Sequence, residues 1–144
     1  MKPEHQSIIR KSWQRCREAG LTHSSDPVIE MHEVHQFNHV LEENHGLINT
    51  TQQKVLPFYD NLLSNSNCIV MLADTNGQVL NTWGEQWSAE QKRNQVFRHG
   101  VHWKEPLLGT NAIGTALETG SIVQVFHDEH FLSSNRFMAG SASP

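Results

Sequence analysis

The sequence predicts an α+β fold in which helices cover an antiparallel sheet, and three observations carry that prediction. Apolar residues recur at helical spacing up to about Leu63. At Cys68 the pattern changes to two extended runs separated by a turn. A glycine-flanked helical stretch, Leu108 to Gly120, is followed by a further extended run. Helical and strand periodicities occurring in separate blocks are the signature of an α+β domain.

Pro3 to Ala19 reads as a first helix ended by Gly20, with Ile8, Ile9, Trp13 and Cys16 as an apolar edge among arginines and a lysine. So narrow a stripe serves packing on the same domain or pairing with another chain, and pairing is the expectation. Asp26-Pro27 predicts a second helix start, with Glu30 in its first turn, running to about His45 or Gly46. Val34, Phe37 and Leu41 mark its buried side, and His32, His35 and His39 point away from it. Thr50-x-x-Gln53 resembles a capping box for another helix through Leu63, kinked or restarted at Pro57. Cys68–Ala73 is then a fully buried strand, Asp74–Gly77 a turn and Gln78–Trp83 an alternating partner strand, together a β-hairpin. Ser88-x-x-Gln91 predicts a polar helix whose last turn holds Arg98 and His99 before Gly100. After a looser segment from Val101 to Leu107 and the motif Leu108–Gly120, Ile122–Phe126 is a third strand and His127–Phe131 a turn or short helix.

The whole chain turns on the Leu108–Gly120 motif. Thr110-Asn111 can cap a helix that places Ala112, Ile113, Ala116 and Leu117 on one side, and Gly120 supplies a left-handed stop. Gly114 costs about 1 kcal/mol in a helix relative to alanine, so it marks a close approach of another backbone. The helix is expected to lie flat on a sheet. Two glycines five apart suggest a phosphate loop, but Thr115 stands where a lysine is needed. Nor does a strand precede it, as a dinucleotide fingerprint requires.

At 144 residues the chain is large enough for a core without staples. Eleven Lys+Arg against fifteen Asp+Glu give a net charge of -4, and no basic run marks a nucleic-acid surface. No apolar run approaches the ~20 residues needed to span a bilayer, so a cytoplasmic location is expected. Cys16 and Cys68 fit free thiols in a reducing compartment, with no disulfide framework or zinc site. Three histidines on one helical face and the pair His127-x-x-His130 raise a metal reading. Solvated histidines beside acidic residues are the preferred account, and no metal or cofactor is expected. No nucleophile with a positioned base is visible, so an enzyme is not expected.

Several separated motifs agree on one family. They are Ser12-Trp13-x-Arg15-Cys16, the hairpin Met71-Leu72-Ala73-Asp74-x-x-Gly77-x-Val79-Leu80, Gly100-x-x-Trp103-x-Glu105, the run Gly109 to Leu117, Val123-Gln124-Val125 and Glu129-His130-Phe131. In this order the chain resembles the N-terminal sensory region of sigma-54-dependent transcriptional activators of the acetoin-catabolism regulator type. That resemblance implies a GAF-like domain (49–144) preceded by an N-terminal helical segment (1–48) that serves dimerisation. It also implies a small-molecule effector, a homodimer, and an ATPase and DNA reader in a longer parent chain, with no contact to DNA or membrane by this segment. The family tends to carry a Trp-x-Cys-Ser-Ala-x-Pro run where this chain has Met138 to Pro144, so the sheet is expected to be incomplete there.

By analogy with GAF domains the ligand-binding candidates are Trp103, Asn111, Thr115, His130, Phe131 and Met138, a mixture of apolar walls and a few polar groups. Each has an ordinary packing or capping explanation as well. The alternatives are a ligand-free dimerisation or protein-interaction module of the same fold, and a metal sensor built on His127, His130 and the helical histidines.

Overall fold

The computed structural model describes residues 3–65, 68–84 and 95–144. Its class is the predicted one, helices with antiparallel strands, but the chain is divided differently. One compact unit joins Met1–Ile29 to Trp103–Pro144, and the other is Glu30–His102. The boundary expected between residues 48 and 49 falls inside the second unit, within a helix.

In the first unit, α1 (Pro3–Glu18) ends at Gly20, whose φ of +88° suits a residue without Cβ. Its apolar edge packs on its own unit. Ile8 and Ile9 lie against Ala112, Ala116, Val123 and Val125, while Trp13 lies against Cys16, Phe131 and Leu132. A short helix α5 (Glu105–Leu108) leads into α6 (Ala112–Thr119), which is capped by Asn111 and stopped by Gly120 in the left-handed conformation. The helix rests on a hairpin of β3 (Val123–Phe126) and β4 (Ala139–Ala142), paired Val123 with Ala142 through Phe126 with Ala139. Strand β4 occupies the stretch that the sequence left without a strand. Its Ala-Gly-Ser-Ala has little β-propensity, and Gly140 lies close under Ala112.

The helix expected from Asp26 does not form. Residues 25–33 form no helix: the Val28 amide donates to the Leu107 carbonyl and the Glu30 carbonyl accepts from the His102 amide. Those long-range partners take the backbone groups that a helical turn would use. In the second unit α2 (Val34–Glu43) starts late, so Val34, expected to be buried, is 75% exposed and His32 lies outside the helix. Thr50 is no cap, since α3 (His45–Thr50) already contains it. A π turn (Thr51–Val55) and a 3-10 turn (Leu56–Tyr59) around Pro57 lead into α4 (Asp60–Asn65), the expected restart at proline.

The hairpin β1 (Val70–Ala73) and β2 (Val79–Trp83) is as predicted, with the Asp74 carboxylate accepting from the Asn76 and Gln78 amides across the turn. β1 is half-buried, not fully buried. The four strands form two separate two-stranded sheets among the described residues, one in each unit. The helix predicted from Ser88 lies outside the described residues; Gln95–Phe97 is a 3-10 turn before Gly100. No helix among the described residues is long and apolar enough to cross a membrane.

Candidate functional site

The sequence motifs converge in the first unit on one buried carboxylate. Glu105, at the start of α5, is 2% exposed. Its Oε2 accepts from Ser12 Oγ at 2.5 Å and from Thr115 Oγ1 at 2.7 Å. Arg15 closes a fork on it, Nε to Oε1 at 2.6 Å and Nη2 to Oε2 at 3.0 Å. Because the single Ser12 hydrogen goes to the carboxylate, the 2.6 Å contact between Ser12 and Thr110 has Thr110 as donor. Cys16 Sγ, 3.6 Å from Thr110 Oγ1, can in turn donate to Thr110. The hydroxyls thus form an ordered chain ending on a charged acceptor, the arrangement in which hydrogen bonds are strongest. The carboxylate pushes the Arg15 guanidinium above its ordinary value, and burial pushes the Cys16 thiol up.

Asn111 holds the next layer. Its Oδ1 accepts from the Gly114 amide at 2.7 Å, and its Nδ2 donates to the carbonyls of Trp103 at 2.8 Å and Gly109 at 2.9 Å. Gly114 marks a close approach as expected, but the approaching backbone belongs to the Trp103–Glu105 segment. A Cβ there would fall on the Trp103 carbonyl oxygen and lie 3.1 Å from the Glu105 nitrogen.

Trp103, Asn111 and Thr115 are therefore buried together around α6, with Asn111 and Thr115 committed to intramolecular bonds. His130, Phe131 and Met138 lie on the segment between β3 and β4. Phe131 is buried edge-on against Trp13, ring centres 5.5 Å apart, and beside His23 at 4.4 Å. Met138 is half-buried, and its carbonyl accepts from the His127 amide at 3.0 Å. Buried His130 places Nδ1 2.9 Å from the His127 carbonyl, so that nitrogen carries the proton. An open groove of about 250 Å³ runs along the outer side of α1, lined by Gln6, Ile9, Arg10, Trp13, Arg17 and Glu129. None of the six candidates lines it. Among the described residues no three His, Cys, Asp or Glu side chains lie together as a metal site, so His127 and His130 gain no third such ligand.

Burial holds His130 below its ordinary value of 6.5. The unfolded chain then takes up a proton near pH 6.5 that the folded chain refuses, so stability conferred by neutral His130 is present above pH 6.5 and lost as pH falls below it. Thermal melts from pH 8 to 5 are expected to show this loss, and His130→Gln to flatten that limb relative to the unsubstituted chain.

The sequence had singled out Ser12, Arg15 and Glu105 only as pieces of motifs, Cys16 as part of an apolar edge and a free thiol, and Thr110 as a helix cap. What it lacked was their meeting point, since Arg15 and Glu105 stand 90 residues apart.

By likeness of sequence, this is a regulatory N-terminal domain of the kind found in transcriptional activators. The chain belongs to the MimR N-terminal domain family, whose model matches residues 2–144. It is 27% identical over 139 residues to the acetoin dehydrogenase operon transcriptional activator AcoR of Bacillus subtilis, covering 94% of this chain and 22% of that protein. It is 28% identical over 149 residues to the acetoin catabolism regulatory protein of Cupriavidus necator, covering 97% and 21%. The chain thus spans about a fifth of the length of these relatives. Its fold matches a chain of the crystal structure of the E. coli DhaR(N)–DhaL complex with a TM-score of 0.86 and 20% identity, over 95% of this chain and 46% of that one.

Proposed function

We propose that this chain is the small-molecule-sensing input domain of a transcriptional activator, of GAF type, coupling an effector to ATPase and DNA-binding modules in a longer protein. The observation that carries the reading is the Arg15–Glu105 latch, which ties α1 to α5 and, through the Thr115 hydroxyl on Glu105, to α6. An effector that binds one arrangement of the Trp103–Thr115 segment better than another shifts the population of latched α1, and α1 carries the change onward. Trp103, His130, Phe131 and Met138 are the candidate walls, and Asn111 and Thr115 set their frame. The relatives' names point to metabolites of the acetoin class as the first effectors to try.

A second reading is favoured by the full commitment of Asn111 and Thr115 to internal bonds. In it the domain binds no effector and serves as a homodimeric or protein-docking module, as the neighbour crystallised as a DhaR(N)–DhaL complex suggests. A thermal-shift screen of small diols, ketones, aldehydes and short acids, run beside light scattering, separates the two. A saturable shift weakened by Phe131→Ala supports sensing. A dimer with no shift across the panel supports the docking module.

A further inference from the structure

Charge is segregated along this chain, and both signs stand exposed. α1 carries Arg10, Lys11, Arg15 and Arg17 against Glu4 and Glu18. From Ala19 to Gln53 there is no lysine or arginine, while Asp26, Glu30, Glu33, Glu42 and Glu43 fall in that stretch. Opposite patches of this kind steer two surfaces together and fix which meets which.

The basic surface is the groove on α1. Trp13 forms its wall, held in place by donating from Nε1 to the Glu129 carbonyl at 2.7 Å. Arg10 and Arg17 line it too, seven residues apart, which on a helix sets them on the same side about 10 Å from one another. Both are exposed, and neither forms an ion pair among the described residues; Arg17 only lies over the Trp13 and Phe131 rings. Glu129, the acid in the lining, is already engaged. Its Oε2 lies 2.8 Å from His5 Nε2, and its Oε1 accepts from the Phe126 amide at 2.9 Å. Tryptophan and arginine are the side chains that most often carry the energy of a protein interface.

The acidic surface lies just before and at the start of α2. Glu30 and Glu33 are exposed and form no ion pair among the described residues. Between them stands Met31, 38% exposed, and after them Val34, 75% exposed. No helix forms from Glu30 to Glu33, and Glu33 itself is extended, with φ -66° and ψ 164°. Three such residues span up to about 10 Å, the spacing of the two arginines. Every residue lining the groove belongs to the first unit, so Glu30 and Glu33 of the same chain are not among them.

We infer that two copies of this chain associate through these surfaces. Glu30 and Glu33 of one copy seat on Arg10 and Arg17 of the other, while Met31 and Val34 cover Ile9 and Trp13. A groove of about 250 Å³ has room for the adaptable methionine side chain. The inference rests on the homodimeric reading only for the existence of a dimer; the choice of surfaces is its own.

The test is sedimentation velocity of the full chain over a concentration series. Self-association is expected, weakened at least roughly tenfold in about 1 M sodium chloride, where charges are screened beyond about 3 Å. Arg10→Glu/Arg17→Glu and Glu30→Arg/Glu33→Arg are each expected to be monomeric, because like charges then face each other across the contact. An equimolar mixture of the two variants is expected to associate again, since each groove then meets a strip of opposite sign. Arg10→Gln/Arg17→Gln, a milder change, is expected to weaken association by at least roughly tenfold. All four side chains lie outside the Arg15–Glu105 latch, so thermal melts of the variants should match that of the unsubstituted chain. An unsubstituted chain that stays monomeric overturns the inference, as does a mixture that stays monomeric. Association that persists in either charge-reversed variant, or is unchanged in Arg10→Gln/Arg17→Gln, overturns it as well. That result would place the dimer on another surface and leave the homodimeric reading standing.

Discussion

Arg15→Ala is expected to lower the stability of this chain by about 3 kcal/mol, seen in thermal melts as a fall of roughly 10 °C. Removing the guanidinium leaves the Glu105 carboxylate buried without its counter-charge. Breaking a buried pair in this way usually costs about 3–5 kcal/mol. The lower end applies because the Arg15 side chain is 33% exposed and Glu105 keeps the Ser12 and Thr115 hydroxyls. Arg15→Lys restores the charge but not the fork, so its melt should lie between the two. A melt within 2 °C of the unsubstituted chain for Arg15→Ala would show that the latch contributes little.

Gly114→Ala is expected to destabilise by about 2–3 kcal/mol even though alanine is the better helix former by about 1 kcal/mol. The new methyl group meets backbone on the Trp103–Glu105 side, and backbone cannot turn away as a flexible side chain can. Gly46→Ala supplies the control. It lies in α3 with open space around its Cβ position, so the same exchange should stabilise by up to about 1 kcal/mol. Chemical denaturation of both variants reads the two signs directly. Equal effects would place the cost in helix propensity and remove the close approach from the account.

Local chemistry was legible in the sequence wherever it decided the outcome. Asn111 caps α6 and Gly120 stops it as their residue types require, and Asp74 with Gly77 closes the β1–β2 turn. The reading failed where distant partners overrode a local preference. Asp26-Pro27 is a sound helix start, but the Leu107 carbonyl and the His102 amide claim that backbone. Strand β4 is held by its pairing with β3 and by the small residues that let α6 sit close, neither of which a propensity scale detects. The latch was half visible: every member lay within a quoted motif, while the expected pocket took Asn111 and Thr115 for ligand contacts. Their polar atoms instead face Trp103, Gly109, Gly114 and Glu105.

The first unit is assembled from the two ends of the chain, with all of Glu30–His102 emerging between them. During synthesis α1 leaves the ribosome long before its partners exist, and Ile8, Ile9 and Trp13 wait in water until the residues after Trp103 arrive. Closing so long a loop makes assembly slow compared with a helical hairpin of the same size. The N-terminal helix therefore stays without its packing partners until the residues after Trp103 have been made.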